Sequence, residues 1–339
     1  MATHRHVQIA AISLLVMALL MFSICPIEAQ IGVCYGTLGN NLPTKQQVVN
    51  LFKSNGIGFM RIYSPDPTAL QALQGSGIKL LLGIPNDQLQ NLAQNPTQAT
   101  QWVQSNVVPF ASTIRYIAVG NEVQQPDKPF VLPAMRNVQN ALNAANLAGQ
   151  IKVSTAIYSA YITNSYPPSN GQFGDLSFMG PIVNFLKNNG SPLLVNIYPY
   201  FAYIGDKKDI SLDYALFTSP GPVVTDNNGL KYQNLFDAMV DSVYAALAKA
   251  GGSDIPIVVS ESGWPSNGGD SATIANAGAY YKNLVNHVKN GTPRKPGQIE
   301  TYLFAMFDEN QKGGAPTEQH FGLFSPNQQS KYSGLTLSS

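Results

Sequence analysis

Eight short apolar runs, rich in Val, Ile, Leu and aromatic residues, recur along the chain, and longer amphipathic segments separate most of them. Near-continuous apolar runs are typical of strands that are covered on both faces of a parallel sheet. Eight such strands with seven clear helical crossovers favour an α/β chain folded as a single closed (β/α)8 TIM barrel. The predicted strands span residues 31–36, 59–64, 79–84, 114–122, 151–158, 192–200, 256–264 and 301–309.

The segments between these runs have helical periodicity. Thr44 is a suitable N-cap for the first helix, and Asn95-Pro96 predicts a break within the third. Residues 201–229 form a long connection, and long connections in compact domains are often functional. The predicted helices span residues 44–55, 67–74, 89–108, 133–148, 180–189, 232–250 and 272–288.

A doubly wound open sheet is the alternative architecture. It leads us to expect a glycine-rich phosphate-binding turn after the first strand. The segment Gly36-Thr37-Leu38-Gly39-Asn40 does not fit that fingerprint, so the barrel is preferred.

The first residues have the pattern of a secretory signal peptide. His4 and Arg5 form a short basic region, residues 9–24 are almost wholly apolar, and Ala29 is a small residue at a plausible cleavage site. This segment is too short and wrongly flanked for a membrane span. We expect residues 1–29 to be removed, residues 30–339 to form one domain, and the mature protein not to bind a membrane.

Composition excludes several other classes of function. The formal net charge is +1 and charged residues make up 12% of the chain, so no strong field attracts nucleic acid or anionic lipid. Cys25 lies in the leader, which leaves Cys34 without an internal disulfide partner. His287 and His320 are isolated, and no G-x-S-x-G motif or zinc-ligand cluster is present. We therefore expect no metal and no cofactor.

Glu309 ends the eighth predicted strand, and two further predicted strands carry a glutamate at their carboxyl ends, Glu122 on the fourth and Glu261 on the seventh. In a parallel barrel the carboxyl ends of all strands meet at one face, where these two strands lie nearly opposite each other. Paired carboxylates without metal or histidine are the groups that glycoside hydrolysis requires, with retention if the carboxyls lie about 5–5.5 Å apart. The alternative is that each glutamate only caps or ion-pairs a neighbouring loop.

Six motifs in order resemble plant endo-1,3-β-glucanases, glycoside hydrolase family seventeen, over residues 31–324. The resemblance implies a (β/α)8 barrel that cleaves internal β-1,3-glucosidic bonds with retention. The motifs are Ile31-Gly-Val-Cys-Tyr-Gly, Met60-Arg-Ile-Tyr, Tyr116-Ile-Ala-Val-Gly-Asn-Glu, Leu194-Val-Asn-Ile-Tyr-Pro-Tyr-Phe, Val259-Ser-Glu-Ser-Gly-Trp-Pro and Met306-Phe-Asp-Glu-Asn-Gln-Lys.

The resemblance also implies roles for individual residues. Glu122 matches the family's general acid/base, and Glu261 matches its nucleophile. Asn121 is similar to an asparagine placed to bond the sugar 2-hydroxyl. The resemblance also implies a supporting charged cluster that orients groups and tunes pKa values at the cleft. The alternative is an ion-pair network that braces the last loop. The cluster comprises Glu309, Lys312 and Glu318.

Aromatic residues at strand ends are candidate stacking platforms for glucose rings, whose C–H faces are apolar, although each could instead pack at the barrel rim. Tyr63 and Tyr198 match family cleft positions, and Phe201 is the weaker candidate. The other two are Tyr200 and Trp264.

The resulting hypothesis is a secreted, monomeric endo-hydrolase of β-1,3-glucan that acts in plant defence or callose turnover. Secretion to the apoplast or cell wall is expected rather than the vacuole, because vacuolar relatives usually carry a longer C-terminal extension. One alternative is a hydrolase of β-1,3-1,4-glucan on the same fold. Another is a wall protein that binds glucan without hydrolysing it.

Overall fold

The computed structural model describes residues 31–337, which form a closed barrel of eight parallel strands. The barrel closes where the first strand pairs with the last, with Gly32 opposite Tyr302. This confirms the predicted (β/α)8 fold, whereas the predicted signal peptide lies outside the described residues. The strands are β1 (Ile31–Cys34), β2 (Phe59–Ile62), β3 (Lys79–Ile84), β4 (Ile114–Asn121), β5 (Lys152–Tyr158), β6 (Leu193–Asn196), β7 (Ile257–Ser262) and β8 (Thr301–Leu303).

Helices surround the barrel. Thr44 caps the first helix as predicted, since its side chain accepts from Gln47 N and the Gln47 side chain accepts in return from Thr44 N. The predicted break at Asn95 is present between the third and fourth helices. The helices are α1 (Lys45–Ser54), α2 (Pro67–Leu73), α3 (Leu89–Gln94), α4 (Pro96–Asn106), α5 (Lys128–Ala144), α6 (Leu176–Asn189), α7 (Pro199–Gly205), α8 (Leu212–Ala215), α9 (Leu235–Lys249) and α10 (Ile274–His287).

Several predicted boundaries were wrong. Helix α5 begins at Lys128 and contains Pro133, which was predicted to start it. Strands β6 and β8 end at Asn196 and Leu303, well before the predicted ends at residues 200 and 309. The residues after β8 stay buried, with Phe307 only 2% exposed, so their apolar character does not distinguish a paired strand from a packed loop.

Side chains fill the inside of the barrel at its amino-terminal end. Glu300 lies there at 8% exposure and accepts hydrogen bonds from the hydroxyls of Tyr116 (3.1 Å) and Tyr302 (3.0 Å). Arg115 Nη2 lies 3.0 Å from the same carboxylate. Because this end is occupied by a satisfied polar cluster, the carboxyl-terminal face is the open one.

The long connection after β6 contains α7, α8 and a two-stranded antiparallel pair, Val224–Thr225 with Lys231–Tyr232. Buried Asp226 accepts a hydrogen bond of 2.8 Å from Ser169 N, which joins this pair to the loop after β5. The connection is therefore an ordered, packed part of the domain. No helix within residues 31–337 combines the length and apolar character needed to span a bilayer.

Candidate active site

A cavity of about 930 Å³ opens at the carboxyl ends of the strands, and both glutamates line it. The loops after β1, β2, β4, β5, β6 and β8 contribute to its walls, and strand β7 contributes Glu261 itself. The structure brings most of the predicted site residues together in this cleft: Glu122, Glu261, Asn121, Tyr63, Tyr198, Phe201, Glu309, Lys312 and Glu318.

Glu261 lies on β7 at 5% exposure, surrounded by donors. Its Oε1 accepts from the Tyr63 hydroxyl at 2.8 Å and lies 2.9 Å from Arg61 Nη1. Its Oε2 accepts from the Tyr198 hydroxyl at 2.7 Å. A guanidinium and two phenols therefore hold this carboxylate in one orientation and surround it with hydrogen-bond donors.

Tyr63 and Tyr198 contact the carboxylate with their hydroxyls, whereas their rings were predicted to be sugar platforms. Burial, followed by nearby charges, raises the pKa of both phenols well above the ordinary value of 10.0. Both therefore remain protonated and act as donors. Their rings still line the cleft.

Glu122 follows the last residue of β4 in a left-handed backbone conformation, φ 51°, that few non-glycine residues adopt. Its amide donates to Ala156 O on β5 at 2.8 Å, and its Oε1 accepts from Asn196 Nδ2 at 2.8 Å. Burial raises the pKa of Glu122 above 4.5, the charge of Glu261 raises it further, and the bond from Asn196 lowers it. The raised pKa favours the protonated form of Glu122, which is the form that a general acid requires.

Arg61 connects the two glutamates, and sequence reasoning assigned it no role. It is 1% exposed. Its Nη1 donates to Ser260 O (2.9 Å) and to Asn196 Oδ1 (3.1 Å), and its Nη2 donates to Asn121 Oδ1 (2.7 Å). The sequence contains one indication of this role, an arginine within the otherwise apolar run of β2. A charged side chain buried in a strand requires hydrogen-bonding partners.

Asn121 has a fixed amide orientation. Its Oδ1 accepts from Arg61 and also from Asn196 Nδ2, at 3.0 Å. Because both bonds use the oxygen, the Nδ2 group is the part of this side chain available to a ligand in the cleft.

Tyr200 and Trp264 do not face the cleft, and the prediction that they stack on sugar is wrong. They are 1% and 0% exposed. Their rings pack edge to face with centroids 5.1 Å apart, and Trp264 Nε1 donates to Ser271 O at 3.0 Å. They form a buried aromatic layer behind the cleft wall. Phe201, by contrast, is 41% exposed and lines the cleft, as do the rings of Tyr63 and Tyr198.

The charged cluster lies along the last loop. Glu309 is 4% exposed and its Oε1 accepts from Leu38 N at 2.7 Å, which ties the loop after β8 to the loop after β1. Lys312 Nζ lies 3.0 Å from Glu318 Oε2 and 4.1 Å from the centroid of the Phe304 ring. The charge of Glu318 adds to the raised pKa of Glu122. These contacts are compatible both with loop bracing and with pKa tuning.

The described residues contain no cluster of side chains suited to bind a metal ion. Across residues 31–337, no three or more His, Cys, Asp or Glu side chains are grouped as a metal site.

The chain is similar to known proteins over most of its length. The family described as glycosyl hydrolases family 17 matches residues 31–334. A Vitis vinifera protein named glucan endo-1,3-beta-glucosidase is 61% identical over 328 residues, covering 94% of this chain and 95% of the relative. A Nicotiana tabacum protein named glucan endo-1,3-beta-glucosidase, basic vacuolar isoform GLB, is 52% identical over 339 residues, covering 97% and 91%.

A solved structure agrees with these sequence matches. It is one of two plant β-glucan endohydrolases described as having distinct substrate specificities, and it is 51% identical to this chain. The two folds superpose with a TM-score of 0.86 over 89% of this chain and 98% of that one. Because the family match and the Vitis vinifera relative both extend over almost all of the described residues, this chain belongs to glycosyl hydrolases family 17.

Proposed function

We propose that this enzyme hydrolyses internal β-1,3-glucosidic bonds with retention of configuration, with Glu261 as nucleophile and Glu122 as general acid/base. The observation that carries the proposal is the contrast between the two carboxyls in one cleft. Glu261 is bound by a guanidinium and two phenols, whereas burial and the charge of Glu261 raise the pKa of Glu122. The names of the relatives support β-1,3-glucan as the substrate.

In the first step, protonated Glu122 donates its proton to the glycosidic oxygen while a carboxylate oxygen of Glu261 attacks the anomeric carbon. The carbon–oxygen bond to the leaving sugar breaks and a glycosyl–Glu261 ester forms. In the second step, ionised Glu122 takes a proton from water, which attacks the anomeric carbon and releases Glu261. Two inversions give net retention.

The cleft supports binding of several sugar units. Its volume of about 930 Å³ lies at the upper end of the range of about 300–1,000 Å³ that is usual for ligand pockets. Its lining extends from Leu38 on the loop after β1 to Ser159 on the loop after β5. Asn121 Nδ2 would bond the 2-hydroxyl of the sugar that reacts, and Phe201 would cover the apolar face of a neighbouring ring.

The test is a timed digestion of linear β-1,3-glucan, with chromatography of the products and proton NMR of the first anomer released. We expect a ladder of oligosaccharides early in the reaction and the β-anomer first. Glucose alone, or the α-anomer first, would contradict endo action or retention. Faster hydrolysis of barley β-1,3-1,4-glucan would favour the mixed-linkage alternative, and binding without new reducing ends would favour a glucan-binding protein.

We further propose that the protein acts as a monomer outside the cell, in the apoplast or wall, in defence or callose turnover. The leader-like pattern of residues 1–29 supports secretion. One relative is named a vacuolar isoform, so location needs a direct measurement. Fractionation of apoplastic fluid and vacuoles from plants that express the tagged full chain would decide between the two compartments, and light scattering would give the oligomeric state.

A further inference from the structure

The side-chain amide of Asn86 binds both main-chain groups of Asn121. Asn121 N donates to Asn86 Oδ1 at 2.8 Å, and Asn86 Nδ2 donates to Asn121 O at 2.9 Å. Asn86 lies on the loop after β3 and does not line the cleft that holds the glutamates.

This contact replaces strand pairing that β3 can no longer provide. The register between β3 and β4 ends with Ile84 opposite Val119. Pro85 follows and has no N–H, and the chain then turns into a short 3-10 helix, Asn86–Gln88. The main chain of Asn121 therefore has no β3 backbone partner on this side, and the Asn86 amide supplies a donor and an acceptor in its place.

The segment held in this way is conformationally unusual. Gly120 (φ 76°) and Glu122 (φ 51°) are both in the left-handed region, on either side of Asn121. A Cβ on Gly120 would lie 2.5 Å from Val123 Cγ2 and 3.2 Å from Asn86 Oδ1, so the backbone passes close to the Asn86 side chain. Such a conformation persists only where surrounding contacts determine it. On the opposite side, β5 supplies one such contact through Ala156 O.

We propose that Asn86 is a positioning residue for the reaction: it fixes the main chain at Asn121 so that the carboxyl of Glu122 is aimed at the glycosidic oxygen. Asn86 acts through the main chain of Asn121 and does not line the cleft that holds the two glutamates. The inference rests on the proposed role of Glu122 as acid/base. Its consequence is that loss of the Asn86 amide impairs proton transfer more than it impairs attack by Glu261.

A purely structural role for Asn86 is the competing explanation, and the chain contains a matched control. Asn137 Nδ2 donates to Leu92 O (2.8 Å) and Ala93 O (3.0 Å), so it also makes two side-chain bonds to main chain. These bonds join α5 to α3, and none of the three residues lines the cleft. Asn137→Ala therefore removes a comparable contact from the scaffold alone.

The experiment compares kcat/KM for two substrates that differ in their need for a proton. Laminarin has a poor leaving group, whereas 2,4-dinitrophenyl β-laminaribioside has one that departs without protonation. Because kcat/KM reports only the steps up to the glycosyl-enzyme, it isolates the acid role of Glu122. We expect Asn86→Ala to lower kcat/KM by about 10–100-fold on laminarin. On the activated substrate the fold-loss in kcat/KM should be smaller by a factor of at least about ten. Asn137→Ala should lower the thermal midpoint by a similar amount and leave both rates within about twofold.

Equal losses of Asn86→Ala on both substrates would overturn the inference, as would a laminarin rate within about twofold of wild type. If Asn86→Ala does not fold, Asn86→Asp serves the same test, because it keeps the acceptor for Asn121 N and places an oxygen against Asn121 O. Glu122→Gln is the reference. If Glu122→Gln is active on laminarin, the proposed function fails; if it is inactive while both Asn86 variants behave as wild type, only this inference fails.

Discussion

Nη1 of Arg61 lies 2.9 Å from Oε1 of Glu261, and the two side chains are only 1% and 7% exposed. The same guanidinium bonds Asn121 and Asn196, and Asn196 in turn bonds Glu122. A continuous set of hydrogen bonds therefore connects the two carboxyls beneath the cleft. Charges inside this network interact more strongly than they would in water.

Arg61→Lys keeps the charge but removes the planar fork that reaches three strands at once. We expect kcat/KM on laminarin to fall by about 10²-fold or more, because Glu261 and Asn121 lose their fixed orientation. Steady-state kinetics checks this. Arg115→Lys is the control, since Arg115 pairs with Glu300 at the opposite end of the barrel. It should lower stability and leave kcat/KM unchanged; a normal rate for Arg61→Lys would contradict the role given to Arg61.

Removal of either carboxylate should have a distinct chemical result. For Glu122→Ala, kcat/KM on laminarin should fall by about 10³-fold or more, whereas activity on the dinitrophenyl glycoside should be retained. When azide replaces water in the second step, this variant should give a β-glycosyl azide. Glu261→Gln lacks the proposed nucleophile, so we expect neither an activated substrate nor azide to restore turnover. Product NMR and mass spectrometry distinguish these outcomes, and an active Glu261→Gln enzyme would reverse the assignment.

The pH dependence follows from the raised pKa of Glu122. As the proposed general acid, Glu122 must be protonated, so kcat/KM should decline as pH rises through a midpoint above the ordinary value of 4.5. Glu261→Gln removes a negative charge that raises this pKa. We therefore expect the pKa of Glu122 to fall in that variant, as measured by NMR titration of ¹³C-labelled glutamate. An unchanged or higher midpoint would contradict the conclusion that the charge of Glu261 raises the pKa of Glu122.

The same group links pH to stability. The folded protein binds a proton at Glu122 more tightly than the unfolded chain does, so this group's contribution to the free energy of unfolding declines as pH rises from 4.5 through the raised pKa. Glu122→Gln does not titrate and keeps an oxygen for Asn196. In urea unfolding, the free energy of unfolding of Glu122→Gln minus that of wild type should increase as pH rises across that window. Below the window this difference should not change with pH. A constant difference at all pH values would contradict the linkage.

Trp264 and Phe201 should respond to truncation in opposite ways. Trp264 is 0% exposed, and we expect Trp264→Ala to destabilise the fold by about 3–5 kcal/mol without a large change in KM. Phe201 is 41% exposed and lines the cleft, and Phe201→Ala should raise KM for laminarin while destabilising the fold less than Trp264→Ala does. Urea titration and kinetics on both variants provide the check. A large increase in KM for Trp264→Ala would indicate that Trp264 contacts the substrate.

The barrel and the place of its active face follow from patterns within short segments. Strand runs such as residues 80–84 are apolar throughout because both faces of a barrel strand are covered. Closure of parallel strands then places the ends of β4 and β7, with Glu122 and Glu261, at the same face. The apolar pattern failed where packed loops resemble strands, as in the residues after Leu303.

Features that depend on partners far away in sequence were not predictable from such patterns. Tyr63 and Tyr198 were expected to offer rings to sugar, and the fold directs their hydroxyls to Glu261. Trp264 was likewise expected to offer its ring to sugar, and its neighbours cover it completely.

The amino-acid order alone thus defined the eight-stranded ring, the family motifs and the pair of strand-end acids, because periodicity and strand-end position are local properties. Folding decided which acid carries the raised pKa, and it assigned Arg61, Asn196 and Asn86 their contacts. A pKa and a buried hydrogen bond depend on distances between atoms of different strands. These distances exist only once the chain is packed.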